Sequence, residues 1–277
     1  MKEPFKLFAT GYRVRNFVSS PEDYTATRML ELTAMDGVMV QYSGLNPPAA
    51  VLYSTPLAGA NGSVYNSRRL NTRNIVLTFT LLSHIQDNRL LLYEVFKTGG
   101  KVRLEYHGSR HAWIEGFVET IQANQFEKAR KEVVQVSVIC YDPLLHSVDT
   151  NTYTKAYNSN STDWVINYGG DVPSGLDITI AFSGSVTNPY IYNQYDMKHG
   201  NGIEITGAYS NGTEILISTY TGKKDITYLG NSIVNDITLP ADWFRIMQGK
   251  NNIRFGASSG SSYMTVTLDI VEQYEGV

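Results

Sequence analysis

Residues 74–147 constrain the fold more than any other part of this chain, because they read as strand, short helix, hairpin and strand in that order. In Ile75-Val76-Leu77-Thr78-Phe79-Thr80-Leu81, the two-residue period of a strand puts Ile75, Leu77, Phe79 and Leu81 on one face. Asp87 or Asn88 can cap a helix that runs through Leu90, Leu91, Leu92, Val95 and Phe96 and stops at Gly99-Gly100. Leu91 with Val95, and Leu92 with Phe96, give that helix one apolar stripe. Two extended runs follow, at 102–106 and 113–118, and the link from His107 to Ala112 holds Gly108 and Ser109 and suits a hairpin. Val134, Val136, Val138 and Cys140 share one side of a last strand, and Pro143, which cannot donate a ladder hydrogen bond, ends it.

A chain of 277 residues is long for one hydrophobic core and comfortable for two. Only 18% of it is charged and Tyr occurs 19 times, which favours strands, where aromatic and β-branched side chains fit a half-buried pleated surface. Charge is split unevenly: 16 Lys and Arg face 13 Asp and Glu in residues 1–147, against 7 and 13 in residues 148–277. That shift marks a boundary near residue 147. The net charge of −3 makes no case for nucleic-acid binding. Cys140 is the single cysteine, so no intrachain disulfide forms, and its Val-rich surroundings make it a buried small hydrophobe. The start, Met1-Lys2-Glu3-Pro4-Phe5-Lys6, is no signal peptide, and no run reaches the roughly 20 apolar residues of a membrane span. A soluble protein made in the cytosol is expected, and the three Asn-x-Ser/Thr matches read as ordinary turns.

Residues 1–35 suggest one or two strands, with Tyr12 to Val18 alternating loosely. Residues 36–72 are punctuated by Gly44, Asn46-Pro47-Pro48, Pro56, Gly59 and Asn61-Gly62 and show little apolar periodicity, so they read as a long loop of functional or interface-forming type. Residues 148–173 have the polar Asn, Ser, Thr and Tyr chemistry of a linker, with room for one edge strand. Beyond them, short strands alternate with turns, at 176–182, 189–195, 202–205, 213–218, 225–228, 253–255 and 263–271. Met264, Val266, Leu268 and Ile270 share a face of the last one, and the regular spacing predicts a β-sandwich.

The ordered set Arg73, the 90–96 helix, Tyr106, Trp113-Ile114-Glu115-Gly116 and Tyr141-Asp142-Pro143 resembles the N-terminal domain of the distal tail proteins (Dit) of long-tailed, non-contractile phages. The stretch 243–251, with Gln248-Gly249-Lys250-Asn251-Asn252, and the ending Tyr274-Glu275-Gly276-Val277 resemble that family's C-terminal domain. The resemblance implies a mainly β protein. A split-barrel-like, ring-forming domain with one helix spans 1–147, with the loop 36–72 in it, and a galectin-like β-sandwich spans 148–277. It further implies a structural hub of the virion at the distal end of the tail. Six copies would close a homo-hexameric ring that docks on the tail tube protein, meets the tip protein and the receptor-binding protein, and leaves a channel for tape-measure protein and DNA. The hub role needs no enzyme activity, cofactor, specific nucleic-acid contact or membrane.

Little in the sequence suggests catalysis. His107 and His111 have the four-residue spacing of two zinc ligands on a helix, but Gly108 and Ser109 make a turn and no third ligand is near in sequence. Glu115 and Glu119 on one strand face would lie about 13 Å apart at about 3.3 Å per residue, beyond the roughly 5–9 Å of glycosidase pairs. Asp196 and His199 lack a nucleophile-elbow serine. No catalytic or metal-binding residue is therefore assigned. The rival reading is a carbohydrate-binding protein that recognises host-surface glycan through an aromatic platform of Tyr190, Tyr192, Tyr195 and Trp243 on the C-terminal sandwich.

Overall fold

The computed structural model describes residues 6–14, 24–124, 131–158, 164–196 and 202–277. Arg15 to Val18, Asn160-Ser161-Thr162 and His199 lie outside the described residues. The chain forms two compact units, Met1–Val148 with Glu275–Val277, and Asp149–Tyr274.

The first unit contains β1 (Lys6–Val14), β2 (Tyr24–Glu31), β3 (Val38–Ser43), β4 (Ala50–Pro56), β5 (Ser63–Leu70), β6 (Arg73–Leu81), α1 (Ile85–Val95), β7 (Lys101–His107), β8 (His111–Ala123), β9 (Glu132–Cys140) and the start of β10 (Leu145–Ala156). Seven of these make an antiparallel sheet in the order β2-β1-β7-β8-β9-β6-β3. Among the described residues β2 and β3 do not pair with each other, so the expected split-barrel-like domain does not close into a barrel. The long β8 carries β7 along one edge; the other edge takes β10 at residues 112–113 and β9 from Phe117 onward, across a bulge between Val118 and Thr120. The core is the alternating face read from the sequence: Ile75, Leu77, Phe79 and Leu81 on β6, and Val134, Val136, Val138 and Cys140 on β9, are all fully buried.

Helix α1 covers that face with Leu92, Val95 and Phe96, and the Phe96 ring lies 5.9 Å from that of Phe79. It starts earlier than expected, its N-cap lying three residues before Asp87 and four before Asn88. His84 takes the N-cap position in a left-handed conformation, and the Asn88 side chain donates instead to the Ser83 and Asp36 carbonyls, both at 3.0 Å. The helix also ends before Gly99-Gly100, at Val95, and Leu90 is exposed.

Residues 36–72 are not a loop. β3 pairs with β6 along six residues, and β4 and β5 form a separate two-stranded ribbon. In β3, Val38, Val40 and Tyr42 face inward, but the exposed apolar Met39 blurs the alternation; the ribbon is exposed on both faces, so nothing there imposes an inside and an outside.

The second unit is a β-sandwich built from β11 (Trp164–Tyr168), β12 (Asp177–Phe182), β13 (Val186–Asn193), β14 (Ile203–Glu204), β15 (Ala208–Tyr209), β16 (Glu214–Ser218), β17 (Asp225–Tyr228), β18 (Asn231–Ser232), β19 (Gly249–Ser259) and β20 (Met264–Tyr274). One sheet runs β18-β17-β16-β12-β20, with the later part of β10 beside β20; the other runs β11-β19-β13-β14, with β15 also on β13. Their inner faces meet through Ile178, Ile180, Ile215, Ile217, Val266 and Leu268 from the first and Ile166, Ile191 and Ile253 from the second. The supposed linker 148–173 is largely strand, because β10 continues to Ala156 and β11 pairs with β19 from Trp164. Among the described residues no helix is long and apolar enough to cross a membrane.

Candidate functional site

The ribbon β4–β5 is the most unusual surface of the first unit. The pair turns through residues 57–62, where Gly59 and Gly62 take positive φ, and the bond from Asn71 N–H to the Ala49 carbonyl, 3.0 Å, closes its base. Leu52 is 66% exposed and Tyr65 59%, and Tyr53, Leu57 and Val64 are exposed as well. Each strand has the other as its only ladder partner among the described residues, so each offers an open edge. An isolated two-stranded hairpin is marginal in water, and clustered exposed apolar side chains mark a contact surface. The Val51-Leu52-Tyr53 and Val64-Tyr65 runs around Gly59 and Asn61-Gly62 are a hairpin signal in the sequence that the prolines and the lack of alternation obscured.

The residues that carried the family resemblance gather around the exit of the first unit. Arg73 is 3% exposed and donates to three backbone carbonyls: Nε to Pro143 at 2.8 Å, Nη1 to Gly44 at 3.1 Å and Nη2 to Glu275 at 2.6 Å. Burial lowers its pKa from the ordinary arginine value, an effect opposed by Cys140, Asp142 and Glu275. Arg110 Nη1 donates to the Gly276 carbonyl at 2.8 Å and Val277 N–H to the Leu45 carbonyl at 3.3 Å, so residues 275–277 are held by three segments of the first unit. Trp113 Nε1 donates to the Ser147 carbonyl at 3.0 Å, its ring stacks on His146 at 4.7 Å, and the Arg103 guanidinium lies 4.3 Å over it. Gly116 is required by packing: a Cβ there would meet the Ile139 carbonyl at 2.7 Å and Cys140 Sγ at 2.8 Å. Cys140 itself is buried and its thiol pushed up to about 12, which keeps it protonated.

The other polar candidates separate. The His107 and His111 rings stack at 4.9 Å across their turn, with His107 Nε2 3.4 Å from Glu105. Among the described residues no group of three or more His, Cys, Asp or Glu could hold a metal ion. Glu115 pairs with Lys101 at 2.8 Å, whereas Glu119 accepts from Ser137 Oγ at 2.9 Å.

The aromatic platform divides in the same way. Tyr190 and Tyr192 stack at 6.2 Å on the side of β13 opposite the buried Ile191, and burial raises the Tyr190 pKa. Tyr195 lies beyond the end of β13 and is 62% exposed. Trp243 is elsewhere, in a pocket lined with Asp196, Thr221, Lys224, Asp242 and Arg245 and by none of the three tyrosines. Sequence reading did not attach Asp196 to Trp243, because 47 positions separate them and only the path of the chain after β13 brings them together.

Residues 169–273, nearly the whole second unit, match the family described as siphovirus-type tail component, C-terminal domain. The second unit carries this tail-component domain. Solved structures agree on the fold along the full length. The SPP1 Dit protein, described as a paradigm of the hub adsorption apparatus in phages that infect Gram-positive bacteria, is similar at a TM-score of 0.69 and 14% identity, covering 96% of this chain and 98% of its own. A chain of the phage p2 baseplate, in its activated conformation with strontium, is similar at 0.52 and 11% identity, covering 99% and 100%. No curated protein sequence matches the chain. Of the residues that carried the resemblance in the first unit, Arg73 and Trp113 bind the start of β6, the exit strand and residues 275–277 together.

Proposed function

We propose that this tail component is a ring-forming hub of a siphovirus tail tip. Six copies join head to tail, dock on the tail tube through the first unit, and hold the tip and host-adhesion proteins near the second, galectin-like unit. The observation that carries this reading is the β4–β5 ribbon, with open edges and exposed Leu52, Tyr53, Val64 and Tyr65. A head-to-tail ring requires two different complementary faces on each copy, and a protruding ribbon with unpaired edges can supply one by adding to a neighbour's sheet. Among the described residues β2 and β3 each pair on one side only, and those edges are candidates for the other. Burying those side chains between copies would remove the instability of a lone hairpin.

The test uses the closed base of the ribbon. Because Asn71 N–H already meets the Ala49 carbonyl, residues 50–70 can be replaced with a short Gly-Ser link. Tails assembled with this variant should fail to join tube and tip while the purified protein keeps its circular dichroism and melting temperature. Normal tails of full infectivity would overturn the interface role. Negative-stain images of assembled tips then count the copies in the ring, and any symmetry other than sixfold would refute the hexamer.

A further inference from the structure

We propose that the second unit binds a single neutral sugar ring in the Trp243 pocket, independently of the ring assembly. The pocket has a volume of about 350 Å³, near the lower end of the roughly 300–1,000 Å³ of small-molecule sites. That suits one six-membered ring. Its walls are held by a buried amide network. Asn193, fully buried, donates from Nδ2 to the Arg245 carbonyl and to Asn251 Oδ1, both at 2.8 Å. Asn251 in turn accepts from Met247 N–H at 2.8 Å and donates to the Met247 carbonyl at 2.7 Å. The segment 243–251 is therefore fastened to the end of β13, and a preformed site loses little order on binding.

The chemistry of the lining selects the ligand. Asp196 accepts from the Arg245 backbone N–H through Oδ2 at 2.7 Å and lies 3.5 Å from Arg245 Nε. One of its carboxylate oxygens is thereby fixed in position, and the other remains an acceptor. Two carboxylates, Asp196 and Asp242, are balanced by two cations, Lys224 and Arg245. An anion would face both carboxylates and a cation both basic groups, so a neutral ligand is favoured. Trp243 offers an aromatic surface, with Lys224 Nζ 5.8 Å from its ring centroid. Lys224 is exposed, so its ammonium can move aside at small cost and donate to a hydroxyl. A sugar ring meets all of these demands: an apolar C–H face for the indole, hydroxyls that donate to Asp196, and oxygens that accept from Lys224 and the Thr221 hydroxyl.

The experiment follows the three tryptophan indole signals of the full chain by 1H–15N NMR while D-glucose, D-galactose, N-acetyl-D-glucosamine and L-rhamnose are added in turn. At least one should shift the Trp243 signal saturably in the millimolar range and leave Trp113 unmoved. Lys224→Ala and Thr221→Val alter exposed side chains, so the fold should stand, and each should weaken binding by about three- to tenfold. Asp196→Asn should weaken it further, and Tyr190→Ala should leave it unchanged. No saturable shift with any of the four sugars would overturn the proposal. So would binding that survives Lys224→Ala, Thr221→Val and Asp196→Asn but is lost with Tyr190→Ala, which would place the site on the sheet face.

Discussion

Replacing Arg73 with Met should loosen the whole first unit, because one guanidinium ties together the Gly44 turn, the exit at Pro143 and residue Glu275. Hydrogen bonds that involve a charged group contribute about 1.5–3 kcal/mol each, and three are lost. The guanidinium's own desolvation, several kcal/mol for a buried ion, disappears with it and offsets part of that loss. Met fills the space of the stem, so little cavity term arises, but three carbonyls lose their donor. The residues that carry them are half exposed, so water can reach some of them. The net cost is about 3 kcal/mol, or roughly a 100-fold rise in the opening equilibrium. Hydrogen exchange read by mass spectrometry checks this unit by unit. Peptides from β6 and β9 should exchange roughly 100-fold faster in Arg73→Met, while peptides from β12 and β16 keep their protection. Arg73→Lys should recover less than half, since one ammonium cannot reproduce a planar fork with donors in three directions. A change under threefold in β6 and β9 would mean that the clamp contributes nothing net, and the reasoning would fail.

Leu92→Asp puts an unpaired carboxylate under α1 and should cost the first unit roughly 4 kcal/mol, seen as a lower denaturation midpoint; an unchanged midpoint would mean the stripe is not buried. Arg89 Nη1 lies 3.0 and 3.1 Å from the carboxylate oxygens of Glu132, which is 5% exposed, so Arg89→Met strands a buried charge and should destabilise by about 3 kcal/mol. The double variant Arg89→Met, Glu132→Leu should regain most of it, and equal melting of single and double variants would contradict this account. Burial raises the Asp142 pKa, but the His146 ring, the Leu144 N–H and Arg73 outweigh that effect and hold its carboxyl below the usual range. A depressed carboxylate stabilises the fold above its unfolded pKa of about 3.9, and that contribution is lost as pH falls through the lower folded value. Acid unfolding of the first unit should therefore begin at lower pH relative to its neutral stability in Asp142→Asn, and superimposable pH profiles would rule the carboxylate out.

What the sequence determined by itself are the elements whose burial is one-sided. Ile75 to Leu81, Val134 to Cys140 and Met264 to Ile270 alternate because each strand has one face on a core, and a two-residue period survives any arrangement of neighbours. The 90–96 stripe was legible for the same reason, although its start was not, since Asn88 spends its side chain on Asp36 and Ser83 from outside the helix. The ribbon β4–β5 was hidden because a hairpin exposed on both faces carries no periodic signal. Likewise β10 and β11 looked like linker, their polar residues being those of strands with an exposed face. Only the tertiary structure decided that residues 275–277 lie with the first unit, that Arg73 spends its donors on carbonyls far along the chain, and that Trp243 meets Asp196 and not the tyrosines. Those arrangements depend on hydrogen bonds and contacts across dozens to hundreds of residues, and no local period or spacing encodes which distant segments will meet.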